Sequence, residues 1–188
     1  MTANFVKLMS SDASRAMQLD AGSRSIYAAM EARGDGETDL LGAKEVSFIK
    51  ARDSFYMATV TTDGWPYVQH RGGPAGFVHC LGPRQIAFAD YSGNRQYMSA
   101  GNLACNNRVA LIMLDYVARR RLKLVGTAHR VSFNDHAETM QQLMPQNYSA
   151  QGEGAIIIDV IAFDWNCPQH ITQRWTAIEI EQMKGVEE

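Results

Sequence analysis

The run from Ala155 to Trp165 constrains the fold of this 188-residue chain more than any other stretch. Ile156, Ile158, Val160 and Ala162 alternate with Ile157, Asp159, Ile161 and Phe163, so both faces of an extended segment are largely apolar. Such a strand must be buried on two sides or lie in an interface. Asp159 interrupts it, and it is far shorter than the ~20 apolar residues of a membrane-spanning helix, so no membrane span is expected. Shorter segments surround it. Phe55 to Thr61 and Tyr67 to Arg71 flank the turn Asp63-Gly64-Trp65-Pro66, while Phe77 to Leu81 and Gln85 to Ala89 flank Gly82-Pro83. Val109 to Leu114 and Leu122 to Val131 read as two more strands. Short strands joined by tight turns predict an antiparallel sheet or small barrel.

Helical periodicity fills the rest. Ser11-Asp12-Ala13-Ser14 caps a helix running towards Leu19, and Ser25 to Ala32 forms another before Gly34. Lys44 to Arg52 places Val46, Phe48 and Ile49 on one side of a helix that yields at Asp53. A helix is expected over Asn94 to Asn106, a further one from Asn134 to Leu143 stopped by Pro145, and a terminal one over Thr176 to Met183, with a polar loop at Tyr148 to Gly154. The length suits a single domain, with residues 1–44 as a helical N-terminal extension to a domain over 45–188.

Charge and cysteine usage narrow the function. A net charge of -2 lacks the basic footprint of nucleic-acid binding. Cys80, Cys105 and Cys167 form no CxxC, and Cys80 and Cys105 read as buried small hydrophobes, so a reducing, cytoplasmic setting is expected. Met1 to Phe5 carries no basic segment followed by an apolar core, so no signal peptide is expected. The acidic run Asp35 to Asp39 lacks the glycine and glutamate of a calcium loop, and Cys167 with His170 has no second Cys/His pair, so no metal is expected. No Ser-His-Asp order or nucleophile elbow points to a hydrolase.

What remains points to an anion. Arg71 ends a strand before the Gly-rich bend Gly72-Gly73-Pro74-Ala75-Gly76-Phe77, and Arg95 is placed at the start of a helix whose free N–H groups favour negative charge. Guanidinium groups add bidentate bonds to phosphate oxygens, so the two could converge on one phosphate. Strand alternation puts Tyr67, Gln69 and Arg71 on one face, and Val68 and His70 on the other. His70 is equally well read as a packed histidine. Arg119-Arg120-Arg121 reads as a solvated turn, with a phosphate or an acidic partner as the alternative.

Several motifs follow one another in a recognisable order: Gly64-Trp65-Pro66, Gly-Gly-Pro-x-Gly-Phe at 72 to 77, Tyr91-Ser92-Gly93-Asn94-Arg95, Asn106-Asn107-Arg108-Val109, Leu124 to Ala128, and Asp164-Trp165-Asn166-Cys167-Pro168-Gln169-His170-Ile171. Over about residues 45–175 the chain resembles the pyridoxamine 5′-phosphate oxidase-like flavoproteins. The resemblance implies an α+β, mainly β fold: an FMN-binding split β-barrel, antiparallel and Greek-key-like with flanking helices, holding FMN at a homodimer interface. It implies flavin contacts at Gln69, His70, Arg71 and Gly72, at Ala89 and Asp90, and at Asn94, Arg95 and Gln96, with Arg95 on the phosphate. Arg121 stands where the family reaches the flavin from the partner subunit, and Trp165 and Arg174 fall near the aromatic and arginine that complete its pocket. Trp165 has a plainer reading as an anchor of the core or of the dimer.

The chain also departs from the pattern. His170-Ile171-Thr172-Gln173-Arg174 lacks the Arg-x-His pair that holds pyridoxamine phosphate, and Pro74 and Gln96 stand where the oxidases carry lysines. The resemblance therefore implies a related FMN-dependent oxidoreductase, using a small substrate or NAD(P)H. The alternatives are a non-catalytic flavin-binding sensor, store or stress protein, or the same barrel around haem or a deazaflavin. No side chain is assigned as a catalytic acid or base.

Overall fold

Tight turns organise the sheet, as their residues predict. Strands β1 (Ser54–Val60) and β2 (Pro66–Gly72) pair antiparallel around Gly64, whose φ of 85° lies where glycine alone is unstrained. β3 (His79–Gly82) and β4 (Gln85–Tyr91) form the second hairpin, and β5 (Arg108–Asp115) and β6 (Arg120–Ser132) the third. β7 (Gly152–Trp165) pairs with β6 along its length and with β4 through its first half. The computed structural model describes residues 2–132, 141–145, 148–165 and 169–184. All seven strands form one antiparallel sheet in the order β2-β1-β5-β6-β7-β4-β3.

That sheet rolls into a split barrel. β2 and β4 are not ladder neighbours, yet Arg71 on β2 is ion-paired with Asp90 on β4. Behind that pair the Phe55 ring meets Phe88 edge-on at 5.1 Å and stacks on Phe77 at 5.7 Å. Phe55, Met57, Met113, Leu122 and Ile156 are buried in the same core. Gly126 sits at a register shift between β6 and β7, where an added Cβ would collide with the carbonyl oxygen of Asp159. Only glycine lets the strands approach this closely.

Helices close the ends and one side. α1 (Ala3–Met9), α2 (Asp12–Asp20) and α3 (Arg24–Arg33) form the N-terminal group, with Ser11 capping α2. Phe5 and Val6 are buried, Phe5 against Val125 and Ala162 of the barrel. Asp39 fixes the attachment: its carboxylate accepts from Thr2 Oγ1 (2.9 Å), Asn4 Nδ2 (3.0 Å) and Phe163 N (3.1 Å). α4 (Ala43–Lys50) buries Phe48 and Ile49. α5 (Met98–Cys105) connects β4 to β5, with Leu103 in the core and Asn102 Nδ2 donating to the buried Thr59 hydroxyl at 2.9 Å. α6 (Ala177–Lys184) buries none of its side chains.

Three expectations need correcting. The helix expected from Asn94 begins at Met98, because Arg95 and Tyr97 have left-handed φ values of 58° and 50° that no α-helix tolerates. The loop expected to reach Gly154 gives way to β7 at Gly152, where pairing with β4 and β6 continues. Within one chain β7 buries one face from Gly154 to Asp164, with Asp159 and Ile161 exposed on the other, so of the two expectations for this strand burial on two sides does not come from this chain alone. Cys105 is exposed at the end of α5 rather than buried, whereas Cys80 is partly buried. Most of the helix expected over Asn134 to Leu143 lies outside the described residues, as does Cys167; Leu143 itself is fully buried. No helix among the described residues is long and apolar enough to cross a membrane.

Candidate functional site

Strand alternation builds the first wall of the site. Tyr67, Gln69 and Arg71 are partly buried on β2 while Val68 and His70 point outwards, as the period of two requires. Gln69 is fixed from above, since Ser99 Oγ in the first turn of α5 donates to its Oε1 at 2.8 Å. His70 stands outside against Tyr56, ring centroids 5.5 Å apart.

Arg71 belongs to a charge cluster that spans three strands. Its Nη1 donates to Asp90 Oδ1 at 3.0 Å, and Arg130 on β6 donates Nε–H to Asp90 Oδ2 at 2.7 Å. Arg130 Nη2 lies 3.9 Å from Glu153 on β7. Asp90 is 8% exposed, so its charge depends on those two guanidinium groups. Arg71 Nε–H is buried with no hydrogen-bond partner, and the same holds for the Tyr91 hydroxyl. Burial, with a smaller contribution from Tyr148, pushes the Tyr91 pKa above its usual value and keeps the hydroxyl a neutral donor.

The turn before α5 forms the second wall. Asn94 Oδ1 accepts from Gln96 N at 3.2 Å and so braces a turn on which Arg95 is exposed. Tyr67, Gln69, Arg71, Asp90, Asn94, Arg95 and Gln96 line one pocket of about 70 Å³, with Tyr91 and Glu153. His70, Arg71, Gly72 and Ala89 line an adjoining pocket of about 160 Å³, with Phe77, Phe88 and Tyr91. Arg71 and Tyr91 are common to both. The nine residues singled out between Gln69 and Gln96 therefore meet in one place.

The remaining three are elsewhere in the chain. Arg174 lies over Tyr116 at 4.9 Å and lines a separate cleft of about 430 Å³ with Arg52, Asp53, Tyr56 and Trp175. Trp165 is held against α4: its Nε1–H donates to Glu45 Oε1 at 2.7 Å, and its ring meets Phe48 edge-on at 4.8 Å. Arg121, on β6, has a buried Nε–H without a partner. Trp165 and Arg121 line none of these three spaces. Arg130, Glu153 and Ser99 were not singled out by the sequence. Their strands and helix converge on Asp90 and Gln69 only through pairing between distant segments.

No group of three or more His, Cys, Asp or Glu side chains among the described residues is placed to hold a metal ion. The walls offer guanidinium, amide and hydroxyl donors, with the Asp90 and Glu153 carboxylates paired to arginine and Arg95 left to face an anionic group on a polar ligand.

Comparison with known proteins agrees with this architecture. The family model for pyridoxamine 5′-phosphate oxidase matches residues 41–166. HupZ from Group A Streptococcus shares the fold at 13% identity and a TM-score of 0.55, over 72% of this chain and all of that one. An FMN-binding protein from Syntrophomonas wolfei does so at 8% identity and a TM-score of 0.50, over 80% of this chain and 97% of that one. No curated protein sequence matches the chain.

Proposed function

The chain belongs to the pyridoxamine 5′-phosphate oxidase family, and on that premise we propose that it is an FMN-binding flavoprotein acting as an FMN-dependent oxidoreductase. The convergence of Gln69 to Gln96 on two adjoining pockets carries the reading, because it gathers donors of the kinds that a flavin phosphate and its polar chain accept from. The buried, unpartnered Arg71 Nε–H and Tyr91 hydroxyl support the fit: a bound ligand would satisfy donors that the protein leaves unpaired. The solved FMN-binding protein of the same fold supports the choice of cofactor.

The pockets hold only part of such a ligand. At about 70 and 160 Å³ each is smaller than the ~300–1,000 Å³ usual for small-molecule sites, so they suit the phosphate end while the ring extends beyond them. A second copy of the chain, bringing its own Arg174 and Trp175, would complete the site. The family resemblance, which implies a flavin site shared between two copies, supports the homodimer; in the single chain Arg174 and Trp175 line a cleft apart from the Arg71 pockets.

Bound FMN supplies hydride exchange at N5 with a small substrate or a reduced nicotinamide. The chain's own residues orient and stabilise. Gln69, held by Ser99, would present its amide, Tyr91 would donate as a neutral phenol, and Arg95 would hold the phosphate. The oxidation of pyridoxamine phosphate itself is not proposed, because His170 to Arg174 contains no Arg-x-His pair.

A second reading, flavin storage or sensing without turnover, draws on the same walls. Asp90 and Glu153 are occupied by arginine, which leaves neither carboxylate as a ready acid or base. Anaerobic addition of NADH or NADPH to the flavin-loaded protein separates the two. Bleaching of the flavin band followed by recovery in air is expected of the oxidoreductase, and a spectrum unchanged by either nucleotide and by candidate substrates would favour storage. A haem or deazaflavin spectrum in the purified protein would overturn both.

A further inference from the structure

The lining of the smaller pocket has no excess charge of its own. It sets Arg71 and Arg95 against Asp90 and Glu153, two positive groups against two negative ones. Carboxylates in a wall repel an anion, so a further cation has to offset them if a phosphate is to enter. Arg130 is placed to be that cation, although it lines neither pocket. Its Nε–H donates to Asp90 Oδ2 at 2.7 Å, and its Nη2 lies 3.9 Å from Glu153 Oε2, so one guanidinium serves both wall carboxylates. Building on the flavin reading above, we infer that Arg130 is a positioning residue: by holding Asp90 and facing Glu153 it gives the wall the positive balance that lets a phosphate dianion bind.

The sheet is built to let Arg130 reach that far. Arg130 is on β6 and Asp90 on β4, with β7 between them. The β7 residue opposite Asp90 is Gly154, which also stands opposite Ser132 of β6, two positions from Arg130. The guanidinium therefore crosses β7 where that strand has no side chain. A Cβ added at Gly154 would meet Arg130 Cζ and Nη2 at 3.2 Å. The Arg130 bond is also the shorter of the two on Asp90, at 2.7 Å against 3.0 Å for Arg71 Nη1. Charge-assisted bonds of that length are the strong ones, so Asp90 is held from the β6 side. Arg71 then gives Asp90 its Nη1, and its buried Nε–H stays open to a ligand.

The test compares FMN with riboflavin, which lacks only the phosphate, by fluorescence titration of the flavin-free full-length protein. Arg130→Met should lower the preference for FMN over riboflavin by about tenfold, because a positive charge beside a dianion is lost. Combining it with Asp90→Asn removes one negative charge as well, and should bring the preference back to within about threefold of the wild type. A purely structural role would weaken both flavins together, and removal of the carboxylate would not rescue it. Glu153→Gln, in the otherwise intact chain, should raise the preference for FMN. The inference is overturned if Arg130→Met leaves the preference unchanged, or if the double variant does not restore it. Should either fail to fold, Glu153→Gln decides, since an unchanged or lower preference overturns the inference. A wild-type protein that takes up neither flavin overturns the flavin reading and this inference together; one that takes up FMN with a preference indifferent to Arg130 overturns the inference alone.

Discussion

At the scale of single residues, the candidate site is held by groups whose partners are far away in sequence. Arg71→Met should cost about 2 kcal/mol, below the 3–5 kcal/mol typical of fully buried pairs because both side chains keep some exposure, and should lower the melting temperature by roughly 4–8 °C. Calorimetry checks this; an unchanged melting temperature would contradict a stabilising Arg71–Asp90 pair. Gly126→Ala should cost about 3 kcal/mol or more, since its Cβ meets backbone that cannot step aside, and an equilibrium denaturant titration reads the loss. Much of the candidate site was legible in sequence: alternation along β2 put Gln69 and Arg71 on one face, and the motif order brought in Asp90 and Arg95. What was illegible is which groups occupy one another. The Asp90–Arg130 pair joins residues 40 positions apart, and no local pattern announces it. Arg95 was placed on a helix because apolar spacing cannot reveal the left-handed backbone at Arg95 and Tyr97.

At the scale of elements, the N-terminal helices are attached at two points. Phe5 buries against the barrel side, and Asp39 gathers Thr2, Asn4 and Phe163. Phe5→Ala should remove about 3 kcal/mol from that docking, raising hydrogen exchange in α1 while β6 and β7 keep their protection. α3 adds a pH dependence. The Arg24 guanidinium is the main cause that holds the Glu31 carboxyl at about 2, against the opposing effect of burial and with help from Ser10 and Arg15. A folded pKa below the unfolded one gives stability that is present above the unfolded pKa of ~4.3 and is lost as pH falls towards about 2. Carbon-detected NMR should therefore find Glu31 titrating near 2, with the α2–α3 contacts loosening over that window; an ordinary carboxylate titration would contradict the pairing. The strands and α2 to α4 were readable because their periods and caps are local. α1 was missed because seven residues with two buried side chains carry too little periodicity. The face of β7 left open at Asp159 and Ile161 shows that apolar alternation reports a tendency to be covered, and the single chain leaves that middle stretch uncovered.

At the scale of the whole molecule, the split barrel brings the Arg71–Arg95 pockets together and leaves the Arg174–Trp175 cleft as a separate space in the same chain. Tyr56 and Val68, 41% and 60% exposed, leave apolar surface on the outer side of β1 and β2. Light scattering at micromolar concentration should give twice the 20.9 kDa chain mass, and a monomer that still retains flavin would show that the second copy is not needed. The order of motifs along the chain made the family readable. On the proposed reading, these pockets receive the phosphate end of FMN. The most direct test is a titration of the flavin-free protein with FMN followed by visible absorption. The account predicts saturable uptake with a shifted flavin band, weakened about tenfold or more by Arg95→Gln. A protein that remains colourless and takes up no FMN would contradict it, and would mean that the family's barrel is kept here without its cofactor.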